Sequence, residues 1–229
     1  MSTLYIVATP IGNLADITYR AIETLTAVDF IAAEDTRHSK RLLNHYDIKT
    51  PLVSFHSHSS ETKIESLIKR LEKGESAAVI SDAGTPCISD PGFKFVNLAT
   101  LKGITVVPIP GPSALTTLIS ASGFPTDTFT FHGFLPHKKG RQTVIKALVD
   151  TKHCHIFYES VHRFPKLLKE LTEHVSAERT ICVGRELTKM HEEIWRGSVE
   201  AAQQHFNESN TKGEFVVIVA PEKFSYNGS

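Results

Sequence analysis

Four stretches of the sequence concentrate residues that hold ligands or shape backbone around them: ATPIGNLAD at 8–16, EDTRHS at 34–39, SDAGTPCISDPG at 81–92 and PGPSA at 110–114. Asp82 offers a carboxylate that accepts hydrogen bonds from ribose hydroxyls or an amino group. Gly84, Gly92 and Gly111 permit backbone angles, or a closeness of approach, that a Cβ forbids. Pro10, Pro86, Pro91, Pro110 and Pro112 stiffen these loops before a ligand arrives, which lowers the ordering cost of binding. Ser113 stands at a predicted helix start, where free N–H groups hold an anion such as a carboxylate. Glycine and proline also collect in ordinary turns, but four such loops together point to a ligand site. Neither G-x-G-x-x-G nor G-x-x-x-x-G-K-[ST] occurs in the sequence, so dinucleotide and P-loop readings are weak.

The elements that must position these loops are legible in the apolar pattern. Runs at TLYIVA (3–8), DFIAA (29–33), LVSF (52–55), SAAVI (76–80) and ITVVPI (104–109) fit buried strands. Helical segments lie between them, the first capped by Asp16 and the last two ended by Gly74 and Gly103. Strands alternating with helices predict a mostly parallel sheet covered on both faces, and ligands of such sheets bind beyond the carboxyl ends of the strands. The four loops follow predicted strands at that end. GFPTDT (123–128) reads as a linker, and a second alternation follows it: TFTFHGF, a helix near 141–149, CHIFY, a helix near 162–174, TICVG and EFVVIVA, with EEIWRGSVEAAQQHF adding a strand and then a helix. The expected architecture is two α/β domains, 1–122 and 123–229.

Composition narrows the function classes. The chain has 229 residues, 25 Lys and Arg against 25 Asp and Glu, and three cysteines. A net charge of zero removes global basicity as an argument for nucleic acid and leaves only local patches. No apolar run reaches the length of a membrane span, and no basic n-region precedes the first apolar run. Cys87, Cys154 and Cys182 are odd in number and far apart, which predicts reduced thiols in a cytoplasmic setting. His56 and His58, and His153 and His155, are spaced as same-face pairs on a strand, but no third ligand follows at metal spacing and no metal site is expected. Phe129, Phe131 and Phe134 read mainly as strand core.

Taken in order, ATPIGNLADIT, AEDTRHSKRLL, SFHSH, SDAGTPCISDPG, VPIPGPSALTTLISASG, GFLPHKKGR, FYESVHR, VGRELTKMHEE and KGEFVVIV resemble the ribosomal RNA small subunit methyltransferase I family, of the tetrapyrrole methylase-like superfamily. The resemblance runs from about residue 3 to 221. It implies two α/β domains with S-adenosylmethionine in a cleft between them, a homodimer, and methylation of a cytidine ribose 2′-hydroxyl in the decoding region of small-subunit ribosomal RNA, naked or in the assembled 30S subunit. Carried over by motif, the cofactor contacts are Pro10, Asp82, Thr85, Ser113 and Ala114, joined by Tyr158, Arg185 and Gly213. Members commonly continue past the last strand into a small C-terminal segment, and this sequence ends soon after VVIVAPEKF.

The implied chemistry then selects further residues. A ribose hydroxyl needs help losing its proton, and the candidates for that base and its positioning groups are Glu34, Asp35 and Arg37 after the second strand and Glu159, His162 and Arg163 after CHIFY. We expect Asp35, Arg37, Glu159 and Arg163 to be catalytic. Lys138, Lys139 and Arg141 in HKKGR are expected to meet RNA phosphates. A tetrapyrrole or diphthine-type methyltransferase, or a non-catalytic S-adenosylmethionine-binding RNA module, would share much of this pattern.

Overall fold

The computed structural model describes residues 2–56, 59–207 and 212–226. Its contacts divide the chain into two compact units, 1–113 and 114–229.

In the first unit, β1 (Thr3–Val7), β2 (Phe30–Ala33), β3 (Leu52–Ser54), β4 (Ala77–Ile80) and β5 (Thr105–Ile109) pair in the order β3-β2-β4-β1-β5. Every pairing is parallel. Between the strands run α1 (Tyr19–Ala27), α2 (Thr36–His45), α3 (Glu61–Glu72) and α4 (Phe93–Leu101). Strand side chains alternate between faces, so the uniformly apolar FIAA and AAVI feed two cores at once. Phe30, Ala32, Ala77 and Val79 pack with Leu67, Leu71 and Phe95 of α3 and α4. Ile31, Ala33, Ala78 and Ile80 pack with Ala21, Leu25 and Leu43 of α1 and α2. Each buried Leu, Ile or Phe side chain contributes ~1.5–3 kcal/mol, and the sheet is held from both faces.

Gly74 and Gly103 take φ of +101° and +71° at the ends of α3 and α4, as expected. Asp16 does not cap α1. It ends a short 3₁₀ turn, Leu14–Asp16, capped by Asn13, while Thr18, adjacent to the first helical residue, accepts the Ala21 N–H at 3.1 Å.

The second unit begins with α5 (Ala114–Ser122) and continues through β6 (Phe129–Phe134), α6 (Arg141–Lys146), β7 (Cys154–Ser160), α7 (Phe164–His174), β8 (Thr180–Arg185), β9 (Glu193–Ser198), α8 (Val199–Asn207) and β10 (Glu214–Val219). The strand order is β6-β7-β10-β8-β9. Only β6 and β7 run parallel; β10 pairs antiparallel with β7 and β8, and β8 with β9. Phe157, Val183 and Val217 meet Phe164, Leu167 and Phe206 of α7 and α8 on one face. On the other, Gly184 lies so close under α5 that a Cβ there would come within 2.8 Å of Leu118 Cδ1. Because α5 packs on β8, β9 and β10, the contacts group it with the second unit, whereas the composition break at GFPTDT had put it in the first.

Candidate functional site

In the first unit, the carboxyl ends of β1, β4 and β5 are sewn together. Thr9 and Gly84 form an isolated antiparallel bridge, each N–H donating to the other's carbonyl at 2.9 Å. Thr9 Oγ1 donates to the Ser81 carbonyl at 3.2 Å, and Thr85 Oγ1 to the Pro112 carbonyl at 3.2 Å. A Cβ on Gly111 would lie 3.1 Å from Ala8 Cβ. The 81–92 loop is itself tightly shaped: Cys87 and Ser89 take φ of +70° and +63°, rarely adopted by non-glycine residues. Gly92, at φ +142°, lies where a Cβ would meet Cys87 Sγ at 2.4 Å. This loop is therefore a fixed wall beside the strand ends. Thr9, absent from the sequence expectations, does as much of the fastening as Thr85. Its only signal was a hydroxyl beside Pro10.

Four carboxylates gather at this edge. The Asp35 N–H donates to Asp82 Oδ1 at 3.0 Å, which ties the end of β2 to that of β4. The carboxylate of Asp35 caps α2, accepting the Arg37 and His38 N–H groups at 2.8 and 3.4 Å and meeting Arg37 Nη2 at 3.4 Å. These bonds, the Arg37 backbone above all, hold the Asp35 carboxyl below its ordinary range. Glu34 behaves in the opposite way. Burial, then the negative charges of Asp82 and Asp90, push its carboxyl up to about 6. Burial also raises Asp90, with a Ser81 hydrogen bond opposing and Asp82 adding to the rise. Asp35 is thus a stable anion engaged in a cap, and Glu34 is the group that exchanges a proton near neutrality. Arg37 is largely in solvent, its side chain 92% exposed.

The second unit revises several expectations. Glu159 is buried between two guanidinium groups: Arg141 Nη1 lies 3.2 Å from its Oε2 and Arg163 Nε 3.3 Å from its Oε1. Arg141 also reaches Glu170 at 2.6 Å. Arg141 is 2% exposed, so it does not meet RNA phosphates as expected; of the three cations expected to do so, Lys138 and Lys139 face solvent. Glu159, shut away with both oxygens paired, is unsuited to take a substrate proton. Arg163 donates to the Leu135 and Pro136 carbonyls and anchors the loop after β6. The sequence placed these charges near a strand end correctly and misjudged which way they point.

Tyr158 Oη accepts the Leu115 N–H at 3.2 Å, at the start of α5, beside Ala114. Phe131 and Phe134 both set ring edges on Tyr158, at 4.9 and 5.6 Å. Three residues apart, they share a side because the strand bulges between them, with Gly133 at φ +61°. Phe134 is 53% exposed, so the three phenylalanines are not uniformly core. Arg185 donates to the Lys212 carbonyl at 2.8 Å and pairs with Glu193 at 3.4 Å. Gly213, at φ +122°, leaves room for Glu186, whose carboxyl carbon a Cβ would approach to 2.7 Å. Both residues thus have structural roles that account for them.

No group of three or more metal ligands exists among the described residues. His155 bonds His132 at 2.8 Å and Thr151 at 2.7 Å, while His153 bonds Thr130 at 2.8 Å. His58 lies outside the described residues. No described helix is long and apolar enough to cross a membrane.

Residues 3–203 match the family model for tetrapyrrole (corrin/porphyrin) methylases. The ribosomal RNA small subunit methyltransferase I of Halalkalibacterium halodurans is 50% identical over 218 residues, 95% of this chain and 75% of that protein. Its namesake in Thermotoga maritima is 44% identical over 220 residues, covering 96% of this chain and 99% of that one. The chain belongs to the ribosomal RNA small subunit methyltransferase I family. Among solved structures, a diphthine synthase superposes with TM-score 0.75 at 15% identity, covering 98% of this chain and 92% of that one. The cobalt precorrin-4 methyltransferase does so with TM-score 0.69 at 16%, covering 95% and 94%. At such identities these neighbours show the fold alone, and the fold is that of the tetrapyrrole methylases.

Ribosomal RNA small subunit methyltransferase I proteins use S-adenosylmethionine, and the first unit fits such a ligand. The cofactor's hydroxyl and ammonium groups need acceptors. Asp82 has Oδ1 fixed by the Asp35 N–H, while its Oδ2 has no hydrogen-bond partner among the described residues. The surrounding backbone is already rigid.

Proposed function

We propose that this chain methylates small-subunit ribosomal RNA on the 2′-hydroxyl of a cytidine ribose in the decoding region. Near-full-length identity to proteins named for methylating that RNA supports the reaction class. The observation that favours a hydroxyl acceptor is Glu34, a half-buried carboxyl poised at about 6 beside Asp82. A hydroxyl must lose its proton as it is methylated, and a base is most effective when its pKa lies near the working pH.

Within this reading Asp82 accepts from the cofactor, and Pro10, Thr85 and Ser113 supply the rigid backbone around it. Ala114 and Tyr158 are further contacts that the family resemblance carries over. S-adenosylmethionine, when bound, supplies the methyl group on a sulfonium. Glu34 takes the hydroxyl proton, and Asp35 fixes the start of α2 and the orientation of Asp82. The homodimer implied by the family resemblance and the cytoplasmic setting read from the cysteines belong to the same proposal.

The test is methyl transfer from labelled S-adenosylmethionine to purified small subunits from cells lacking this protein, with the modified nucleotide mapped. One ribose-methylated cytidine in the decoding region is the expected result. A label on a base atom, or none despite cofactor binding, overturns it.

A further inference from the structure

Helix α2 has a charge pattern that its own stability does not explain. Arg37, Lys40 and Arg41 are exposed, as are Asn44 and His45, while Ser39, Leu42 and Leu43 form the buried side. At 100° per residue, Arg37, Lys40, Arg41 and Asn44 fall on one stripe opposite that buried side. No Asp or Glu occurs within Thr36–His45. Lys40 and Arg41 have no ion pair among the described residues, and Arg37 meets only Asp35. Two longer helices balance their charges: α3 carries acids and bases along its length, and α7 pairs Lys166 with Glu170 and Lys169 with Glu173.

Cations in the first turns of a helix oppose its dipole and weaken it. Arg37 and Lys40 stand there, so the helix tolerates them at a cost. The stripe also begins at the carboxylates Glu34 and Asp35, the edge where the reacting hydroxyl is placed in the proposed function. From Arg37 to Arg41 it extends about 6 Å along the axis, enough for two successive phosphates at ~3.4 Å of strand rise each. With Arg141 buried, it carries more solvent-facing Lys and Arg than the HKKGR loop, in a chain of zero net charge.

We propose that the exposed face of α2 is the surface that grips the RNA backbone, with Arg37, Lys40 and Arg41 meeting phosphates that flank the target nucleotide. The inference rests on the ribosomal RNA reading. Contacts of this kind position a strand without reading its sequence, which leaves choice of the nucleotide to the site and the ribosomal context.

The experiment measures binding of a fluorescent single-stranded RNA oligonucleotide, and of purified small subunits, across a salt series. Lys40→Ala/Arg41→Ala is compared with the parent and with Lys166→Ala/Lys169→Ala, which removes the same charge from α7. Losing two phosphate contacts lowers the slope of log K against log[salt] by about 1.4. We expect that drop for the α2 variant alone, with cofactor affinity by calorimetry and the melting temperature unchanged. An unchanged slope in a variant that still binds RNA, or an equal drop in the α7 variant, overturns the α2 assignment and leaves the ribosomal RNA reading standing. A parent protein that binds neither RNA nor subunits at low salt overturns that reading, and the inference with it.

Discussion

Adjacent carboxylates can be assigned opposite tasks by their surroundings, as Glu34 and Asp35 show. Asp35 is stabilised as an anion by the N–H groups it caps, and Glu34 is destabilised as an anion by burial and by Asp82 and Asp90. We expect Glu34→Gln to keep S-adenosylmethionine affinity and to lower methyl transfer by ~10²–10⁴-fold. In the parent, transfer should rise as pH rises through about 6, because only the ionised carboxyl accepts a proton. A profile flat across that range, or a variant as fast as the parent, would remove Glu34 from the chemistry. The sequence brought EDTRH forward as a cluster without ranking its acids. Ranking them needs the distance from β2 to β4, which pairing in the sheet supplies.

Among the elements, the charges of α6, β7 and α7 form one buried connection. Arg141 starts α6, Glu159 is the penultimate residue of β7 and Glu170 lies within α7, and the guanidinium joins all three. Removing one partner from such a group leaves an unpaired buried charge and costs ~3–5 kcal/mol. We expect Arg141→Ala to lose about that much stability in urea denaturation, while Lys138→Ala/Lys139→Ala, from the same loop, stays within about 0.5 kcal/mol. Equal effects would mean that Arg141 is as exposed in solution as its neighbours. HKKGR reads as one basic loop because adjacent residues in sequence look alike. Which of its cations turns inward depends on carboxylates 18 and 29 residues away.

At the scale of the whole molecule, pH links the fold to buried and half-buried titratable groups. Burial, with the charges of His132, His153 and Arg179 adding to it, depresses His155 from an ordinary 6.5 to about 4. The unfolded chain therefore takes this proton first, and the stability His155 contributes is full above 6.5 and lost as pH falls toward about 4. Glu34 acts with opposite sign and a smaller shift, favouring the fold as pH falls from about 6 to 4.5. We expect the urea midpoint to drop between pH 7 and pH 5, and His155→Gln to flatten that drop; an equal slope in the variant would count against it. The sequence by itself determined the alternation of strands and helices, the strand-end loops and the family, because apolar period and turn residues are local properties. It also singled out Asp82 as a candidate acceptor. Tertiary structure alone decided the antiparallel pairings of β10 and the grouping of α5 with the second sheet. It likewise settled the burial of Arg141 and Glu159 and the raised Glu34. Each of these is fixed by partners distant in sequence, through packing and charge that no local window contains.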